Sequence, residues 1–107
     1  MHILITGGVG FIGTNTVIYF GKNKKNKITI IDNFSRKNVD KNAKFIKDNY
    51  PQVRIIKTDV ANVNKYFNEI RNADVIIHLA GQTAVTTSLT YPEKDFHANI
   101  FSTFKLL

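Results

Sequence analysis

Four short apolar stretches recur along the chain, and each is followed by residues whose apolar positions repeat at helical spacing. They cover residues 2–6, 27–32, 53–58 and 73–80, and the run at 27–32 is nearly continuous rather than alternating. Runs of this kind are typical of strands that helices cover on both faces. The periodic segments predict helices over residues 11–21, 40–49, 62–70 and 92–107, and polar residues predict loops at 33–39 and 81–91. The third helix is predicted to bury one face made of Val63, Tyr66, Phe67 and Ile70.

The order of these elements, βαβαβαβα, predicts an α/β fold. Connections long enough to form right-handed crossovers give a parallel sheet, here with strand order 3-2-1-4 and helices on both faces. The arrangement corresponds to one mononucleotide-binding half of a Rossmann-type sheet plus the first strand of the second half. We therefore expect residues 1–107 to form an incomplete dinucleotide-binding domain that stops after its fourth βα unit.

A glycine-rich turn links the first strand to the first helix. Gly7, Gly10 and Gly13 follow the apolar run, and Phe11 and Ile12 begin the helical segment. In such a turn the first glycine permits the bend, the second lets backbone N–H groups approach a pyrophosphate, and the third allows close packing of helix on strand. The helix start adds unpaired N–H groups and the positive end of the helix dipole. The pattern predicts a phosphate-binding turn.

An acidic residue ends the second strand. Asp32 lies nineteen residues after Gly13, where a carboxylate can accept both hydroxyls of an adenosine ribose. The alternative is that Asp32 only caps a turn before Asn33. A carboxylate here disfavours a 2′-phosphate and so favours NAD over NADP, although Arg36 could pair with such a phosphate.

Two further strand ends are expected at the same edge of the sheet. Asp59 and Val60 follow the third strand, where a carboxylate and a neighbouring N–H can bond adenine, although Asp59 alone also suits a helix N-cap. Leu79, Ala80 and Gly81 end the fourth strand and would let the backbone approach the pyrophosphate and the nicotinamide ribose. The three histidines, at positions 2, 78 and 97, lack evident metal or acid–base partners and are predicted to be packed in the structure.

Composition narrows the functional class. Apolar residues make up 43% of the chain and cysteine is absent, which predicts a globular protein without disulfides or a cysteine-based metal site. The first strand begins at once and no apolar run reaches membrane length, so a cytoplasmic location without membrane contact is expected. The net charge of +7 suggests nucleic-acid binding as a possible function. The charge comes mostly from lysines in surface-like segments, however, and there is no stripe of arginines. No nucleic-acid partner is therefore predicted.

The motifs together resemble the extended short-chain dehydrogenase/reductase superfamily of nucleotide-sugar epimerases and dehydratases. The residues that carry the resemblance are 6–13, Asp32-Asn33, Asp59-Val60, 78–81 and Asn99. Segments 32–37 and 78–88 look most like the CDP-paratose 2-epimerases, also called CDP-tyvelose epimerases, and Gln82 is the informative residue.

The resemblance implies an isomerase in which tightly held NAD takes hydride from a sugar C2 and returns it to the other face. It implies cofactor contacts at fourteen positions: Gly7, Gly10, Phe11, Ile12, Asp32, Asn33, Ser35, Arg36, Asp59, Val60, Leu79, Ala80, Gly81 and Gln82. It also implies that Thr87 and Ser88 approach the nicotinamide and the sugar, although both residue types are common at helix starts.

The family's catalytic pair is not found. Its members use a Tyr with a Lys four residues later, and none of the four tyrosines here has that partner. The pair and the nucleotide-sugar domain would lie beyond Leu107, so no catalytic residue is assigned and the chain alone is predicted to be inactive. An open edge beside residues 75–77 favours a homodimer or a domain-swapped assembly. The remaining alternatives are a fragment of a related 4-epimerase or dehydratase, and a stand-alone nucleotide-binding module.

Overall fold

Strands and helices alternate along the chain in the computed structural model, which describes residues 1–107. The strands are β1 (His2–Thr6), β2 (Lys27–Asp32), β3 (Val53–Lys57) and β4 (Val75–His78). The helices are α1 (Phe11–Gly21), α2 (Val39–Asn49), α3 (Phe67–Asn72), α4 (Val85–Thr90), α5 (Pro92–Phe96) and α6 (Ser102–Leu106). A 3-10 turn (Val63–Tyr66) precedes α3, and a π-helical turn (His97–Phe101) joins α5 to α6.

The sheet is fully parallel, with the order β3-β2-β1-β4, so the predicted fold and strand order are confirmed. In the register, Thr6 at the end of β1 lies beside Ile31 of β2 and His78 of β4. Asp32 at the end of β2 lies beside Lys57 of β3. All four strands therefore end at one edge of the sheet, and the loops that leave them are brought together there.

Apolar side chains fill both faces of the sheet because β1 and β2 are buried on each side. Ile3 and Ile5 point to one face and pack in a cluster with buried residues of α1 and α2. Leu4 points to the other face and packs with Tyr66 and with Leu106 of α6. Burying a side chain of this size stabilises the fold by about 1.5–3 kcal/mol relative to leaving it exposed. This double burial explains the nearly continuous apolar runs.

The predicted third helix is only partly right. The structure has a 3-10 turn followed by α3, and the tighter turn rotates consecutive side chains differently from a continuous helix. Tyr66 is fully buried, whereas Phe67 is 52% exposed. The prediction that Phe67 shares the buried face is therefore wrong.

The predicted loop at 81–91 is also partly wrong, because residues 85–90 form α4. The segment contains β-branched threonines and only one apolar pair at helical spacing, Val85 and Leu89, so its local signal for a helix is weak. Both apolar side chains are exposed, at 72% and 79%. Two hydroxyls return to the backbone of the preceding turn, from Ser88 to the Ala84 carbonyl and from Thr90 to the Thr86 carbonyl.

None of the helices combines the length and apolar character that a bilayer crossing requires. The cytoplasmic location stays a prediction.

Candidate functional site

A cleft of about 820 Å³ opens at the edge where the four strands end. The glycine turn after β1 and the start of α1 form its floor, and the loops after β2, β3 and β4 form its walls. The fourteen positions predicted to contact a cofactor, from Gly7 to Gln82, all line this cleft. The parallel strand order is what gathers them, since they come from four separate segments.

The glycine turn is held in a conformation that side chains would disrupt. Gly7 has a φ of +70°, and its N–H donates to the Ile31 carbonyl at 2.8 Å. A Cβ on Gly7 would lie 2.8 Å from the backbone nitrogen of Ala80. At Gly13 a Cβ would overlap the Gly7 carbonyl oxygen and lie 2.6 Å from the Gly8 Cα. The turn therefore packs directly on the loop after β4 and on the first turn of α1.

The start of α1 presents backbone donors to the cleft. Its N-cap residue is Gly10, which has no side chain to accept the first-turn N–H groups. Phe11 and Ile12 are 83% and 64% exposed, so the helix end is open to the cleft rather than covered. An eleven-residue helix with an uncapped N-terminus favours a negatively charged group at this point.

Asp32 joins the end of β2 to the glycine turn. Its Oδ2 accepts the Val9 N–H at 3.2 Å, and its Oδ1 accepts the Phe34 N–H at 2.9 Å. The side chain remains half-buried on the cleft wall. A carboxylate has about four acceptor positions, so the turn-capping interpretation of Asp32 leaves capacity for hydroxyl donors from a ligand.

The loop after β2 reaches across the cleft. Asn33 accepts the Ser35 N–H through its side-chain oxygen at 3.1 Å, which shapes the loop locally. Arg36 Nη2 then donates to the Gly81 carbonyl and to Thr83 Oγ1, each at 3.1 Å. The guanidinium thereby connects the loops after β2 and β4.

The wall after β3 is fixed from behind by a buried tyrosine. The Tyr66 hydroxyl donates to the Val60 carbonyl, and burial, with a smaller contribution from Asp59, raises the pKa of Tyr66 to about 12. The phenol therefore stays protonated as a donor at neutral pH. Asp59 Oδ1 accepts the Ala61 N–H at 2.8 Å, which leaves Oδ2 facing His97 Nε2 at 3.3 Å.

His97 differs from its prediction. It was expected to be packed, but its side chain is half-exposed and lines the cleft opposite Asp59. The π-helical turn that begins at His97 widens the helix there, as such turns often do at functional sites. His2 is buried as predicted, with Nε2 at 3.0 Å from Thr29 Oγ1.

Gln82 is clamped through its backbone rather than its side chain. Its N–H donates to Asn99 Oδ1 at 2.6 Å, and its carbonyl accepts from Asn99 Nδ2 at 3.1 Å. Asp95 Oδ1 in turn accepts from Asn99 Nδ2 at 3.0 Å and orients the amide. The two-way clamp fixes the course of the loop after β4.

The two predicted substrate-proximal residues separate in the structure. Thr87 lines the cleft, whereas Ser88 does not, and its Oγ lies 2.7 Å from Asp95 Oδ1. None of the four tyrosines lines the cleft.

Six cleft residues were not identified as site residues from the sequence, namely Val39, Thr83, Lys94, His97, Ala98 and Ser102. Lys94, Ala98 and Ser102 are spaced by four and so share a helix face. That spacing was visible in the sequence, but nothing local indicated that this face turns toward the cleft.

Comparison with known proteins gives a match over nearly the whole chain. Residues 4–107 match the family model for GDP-mannose 4,6 dehydratase. CDP-paratose 2-epimerase of Salmonella typhi is 35% identical over 109 residues, covering 100% of this chain and 32% of that protein. A dTDP-glucose 4,6-dehydratase of Mycolicibacterium smegmatis is 27% identical over 108 residues, with the same coverage of 100% and 32%.

Solved structures agree with these relatives. UDP-glucuronic acid 4-epimerase from Bacillus cereus, in complex with UDP-glucuronic acid and NAD, superposes with a TM-score of 0.87 at 27% identity. The match covers 99% of this chain and 35% of that one. The chain thus spans about a third of the length of the curated relatives it matches.

Proposed function

Because this chain belongs to the GDP-mannose 4,6 dehydratase family, we propose that it forms the NAD-binding N-terminal part of a nucleotide-sugar epimerase. In the finer form of the proposal, the complete enzyme is a 2-epimerase acting on a CDP-linked sugar such as CDP-paratose. That choice rests on the similarity to the Salmonella typhi enzyme and on residues 78–88, where Gln82 lies.

One observation carries the cofactor assignment: four motifs far apart in sequence line a single cleft beside an uncapped helix N-terminus. In the proposed binding mode the pyrophosphate lies against Gly10 and the first turn of α1. Asp32 accepts the ribose hydroxyls, and Asp59 with Val60 contacts the adenine. The backbone of residues 79–82 approaches the nicotinamide half.

The same geometry supports NAD over NADP. The free acceptor capacity of Asp32 suits hydroxyl donors and repels a 2′-phosphate. Arg36, the side chain that could neutralise such a phosphate, already donates to Gly81 and Thr83 on the opposite wall. Binding NADP would therefore require Arg36 to leave these two acceptors.

Calorimetric titration of the chain with NAD and with NADP tests the assignment. We expect heat with NAD and at least about tenfold weaker affinity for NADP, corresponding to about 1.4 kcal/mol. No turnover of a CDP-sugar is expected from the chain alone, because no tyrosine lines the cleft to act as the base. Absence of heat with either nucleotide would contradict the cofactor proposal, and turnover would contradict the predicted inactivity.

A second candidate is the corresponding part of a 4-epimerase or a dehydratase. The similarity to the dTDP-glucose 4,6-dehydratase and to the Bacillus cereus 4-epimerase favours it. These enzymes would share the same cofactor cleft, so NAD binding does not separate them from a 2-epimerase. The nucleotide sugar that the complete polypeptide converts would distinguish the two candidates. A stand-alone nucleotide-binding module, the remaining alternative, would bind NAD in a reading frame that ends at Leu107.

We also propose that the isolated chain self-associates through its uncovered side. β4 is hydrogen-bonded to a neighbouring strand only on its β1 side, and Val75 and Ile76 are 41% and 38% exposed. Ile100 and Phe104, which are four residues apart in the helical segments after β4, are also exposed, at 58% and 72%. Exposed strand edges and apolar patches of this kind favour pairing with a second copy. Sedimentation at tens of micromolar is expected to give a dimer mass, and a strictly monomeric mass would contradict this.

A further inference from the structure

A chain of side-chain hydrogen bonds runs beneath the loop after β4. At one end, Thr6 Oγ1 accepts the N–H groups of Leu79 and Ala80, each at 3.2 Å. Thr6 Oγ1 also lies 2.6 Å from His78 Nδ1. On the other side of the ring, His78 Nε2 lies 2.9 Å from Thr103 Oγ1. His78 therefore bridges β1 and the helix end of the cleft wall.

The bonding partners determine which atom donates the hydrogen in each bond of this series. The Thr103 hydroxyl donates to the Asn99 carbonyl at 2.7 Å, so its oxygen must accept from His78 and Nε2 must carry the hydrogen. In the neutral imidazole Nδ1 is then the acceptor, and it takes the Thr6 hydroxyl hydrogen. Thr6 Oγ1 is thereby left with two lone pairs for its two backbone donors. Each member is satisfied in one tautomer only.

The far end of the chain returns to the same loop. Asn99 accepts from Thr103 through its backbone carbonyl, and its side chain clamps the backbone of Gln82. The loop after β4 is thus held near its start by Thr6 and three residues later by Asn99. His78 connects the two anchors.

The surroundings of His78 favour the neutral ring. Burial lowers the pKa of His78 below its ordinary value, and no charged side chain contributes to that shift. The elements packed against the ring, β1 and α6, contribute the uncharged Thr6 and Thr103 as its bonding partners. A second proton on Nδ1 would leave the Thr6 hydroxyl without its acceptor and present Thr6 Oγ1 with a third donor.

We propose that neutral His78 is a positioning residue that holds residues 79–82 in their nucleotide-binding conformation, so that acidification weakens NAD binding through this ring. The inference rests on the proposed NAD site and adds its regulation by pH. The sign follows from the pKa: because burial lowers it, neutral His78 supports the loop at pH 7 and above. Support is lost as the pH falls through the lowered pKa of His78 in the folded chain, which lies below the ordinary value of about 6.5.

Thr103 provides the first test, because it lies outside the cleft lining. Thr103→Val keeps the side-chain shape but leaves the Nε2–H without an acceptor. We expect NAD affinity at pH 7.5 to fall roughly fivefold to tenfold. Thr103→Ser restores the acceptor and is expected to stay within about twofold of wild type. His2→Gln is the matched control, since His2 is also buried and bonded to a threonine but does not line the cleft.

The pH profile provides the second test. As the pH falls from 7.5 through the lowered pKa of His78, the wild-type NAD affinity is expected to fall, by about fivefold or more once the ring is protonated. In His78→Asn, whose amide oxygen can still accept from Thr6 but cannot titrate, the affinity is expected to be lower but flat. The profiles are repeated in His97→Gln, because His97 also lines the cleft and lies 3.3 Å from Asp59. A long-range ¹H–¹⁵N spectrum of the imidazoles reads the tautomer without nucleotide.

The outcomes separate the two proposals. If wild type binds no NAD, the proposed function and this inference both fail. If wild type binds NAD but Thr103→Val binds equally well, or if the pH-dependent loss persists in His78→Asn, only the positioning role fails. An Nδ1–H tautomer for His78 would also overturn the positioning role. Weaker binding by Thr103→Val with recovery in Thr103→Ser, together with the Nε2–H tautomer, supports it.

Discussion

Gly13→Ala is expected to lower the free energy of unfolding by about 3 kcal/mol, the upper end of the cost of overpacking a close contact. The added Cβ would overlap the Gly7 carbonyl oxygen and lie 2.6 Å from the Gly8 Cα. Both neighbours are backbone atoms of a turn that is bonded to β2 through Gly7, so they cannot rotate away as a side chain would. Relief requires α1 to move away from the sheet. Urea unfolding followed by circular dichroism measures the change.

Gly10→Ala is the matched control within the same turn. Gly10 has an ordinary extended backbone, with φ −71° and ψ 178°, and the nearest atom to an added Cβ is 3.3 Å away. Replacing a glycine N-cap with alanine is expected to cost about 1 kcal/mol or less. Equal losses of stability in the two variants would show that the close approach of α1 to the turn is not what Gly13 provides.

Asp32→Asn is expected to weaken NAD binding about 100-fold, since two charge-assisted bonds to the ribose hydroxyls would be lost or weakened. The same change disturbs the turn, because the amide group can no longer accept from both Val9 and Phe34. Affinity is measured by calorimetry, and thermal unfolding separates a binding loss from a folding loss.

Asp48→Asn matches this substitution in chemistry and charge but lies on the exposed side of α2, where Asp48 pairs with Lys44 at 2.7 Å. We expect no change in NAD affinity for this control. Unchanged affinity in Asp32→Asn, with the chain folded, would remove Asp32 from the proposed ribose site and leave it as a turn cap.

The strands were predictable because their signal is local. β1 and β2 consist mainly of isoleucine, leucine and threonine and are buried on both faces, so periodicity, length and flanking glycine or aspartate agreed. The sequence failed where two local signals were nearly balanced. In α4 the polar threonines indicated a loop. In the segment before α3, apolar residues spaced by three and four indicated a continuous helix, whereas the structure has a tighter 3-10 turn.

The site residues likewise fall into those that local sequence predicts and those that depend on tertiary packing. The glycine turn, Asp32 and Asp59 were identified because each lies next to a strand end, and parallel strands place their carboxyl ends together. Lys94 and His97 were missed because they lie on helices after β4, whose orientation depends on packing.

By itself, the sequence determined four strands, their parallel order, the glycine turn and the acidic residue at the end of β2. These follow from periodicity, chain direction and the handedness of crossovers, which act within one or two elements. Only the tertiary structure decided that Arg36 spans to Gly81, that His78 joins Thr6 to Thr103, and that Asn99 clamps Gln82. Such bonds depend on where whole loops and helices come to rest, to within a few tenths of an ångström, and residue spacing along the chain does not carry that information.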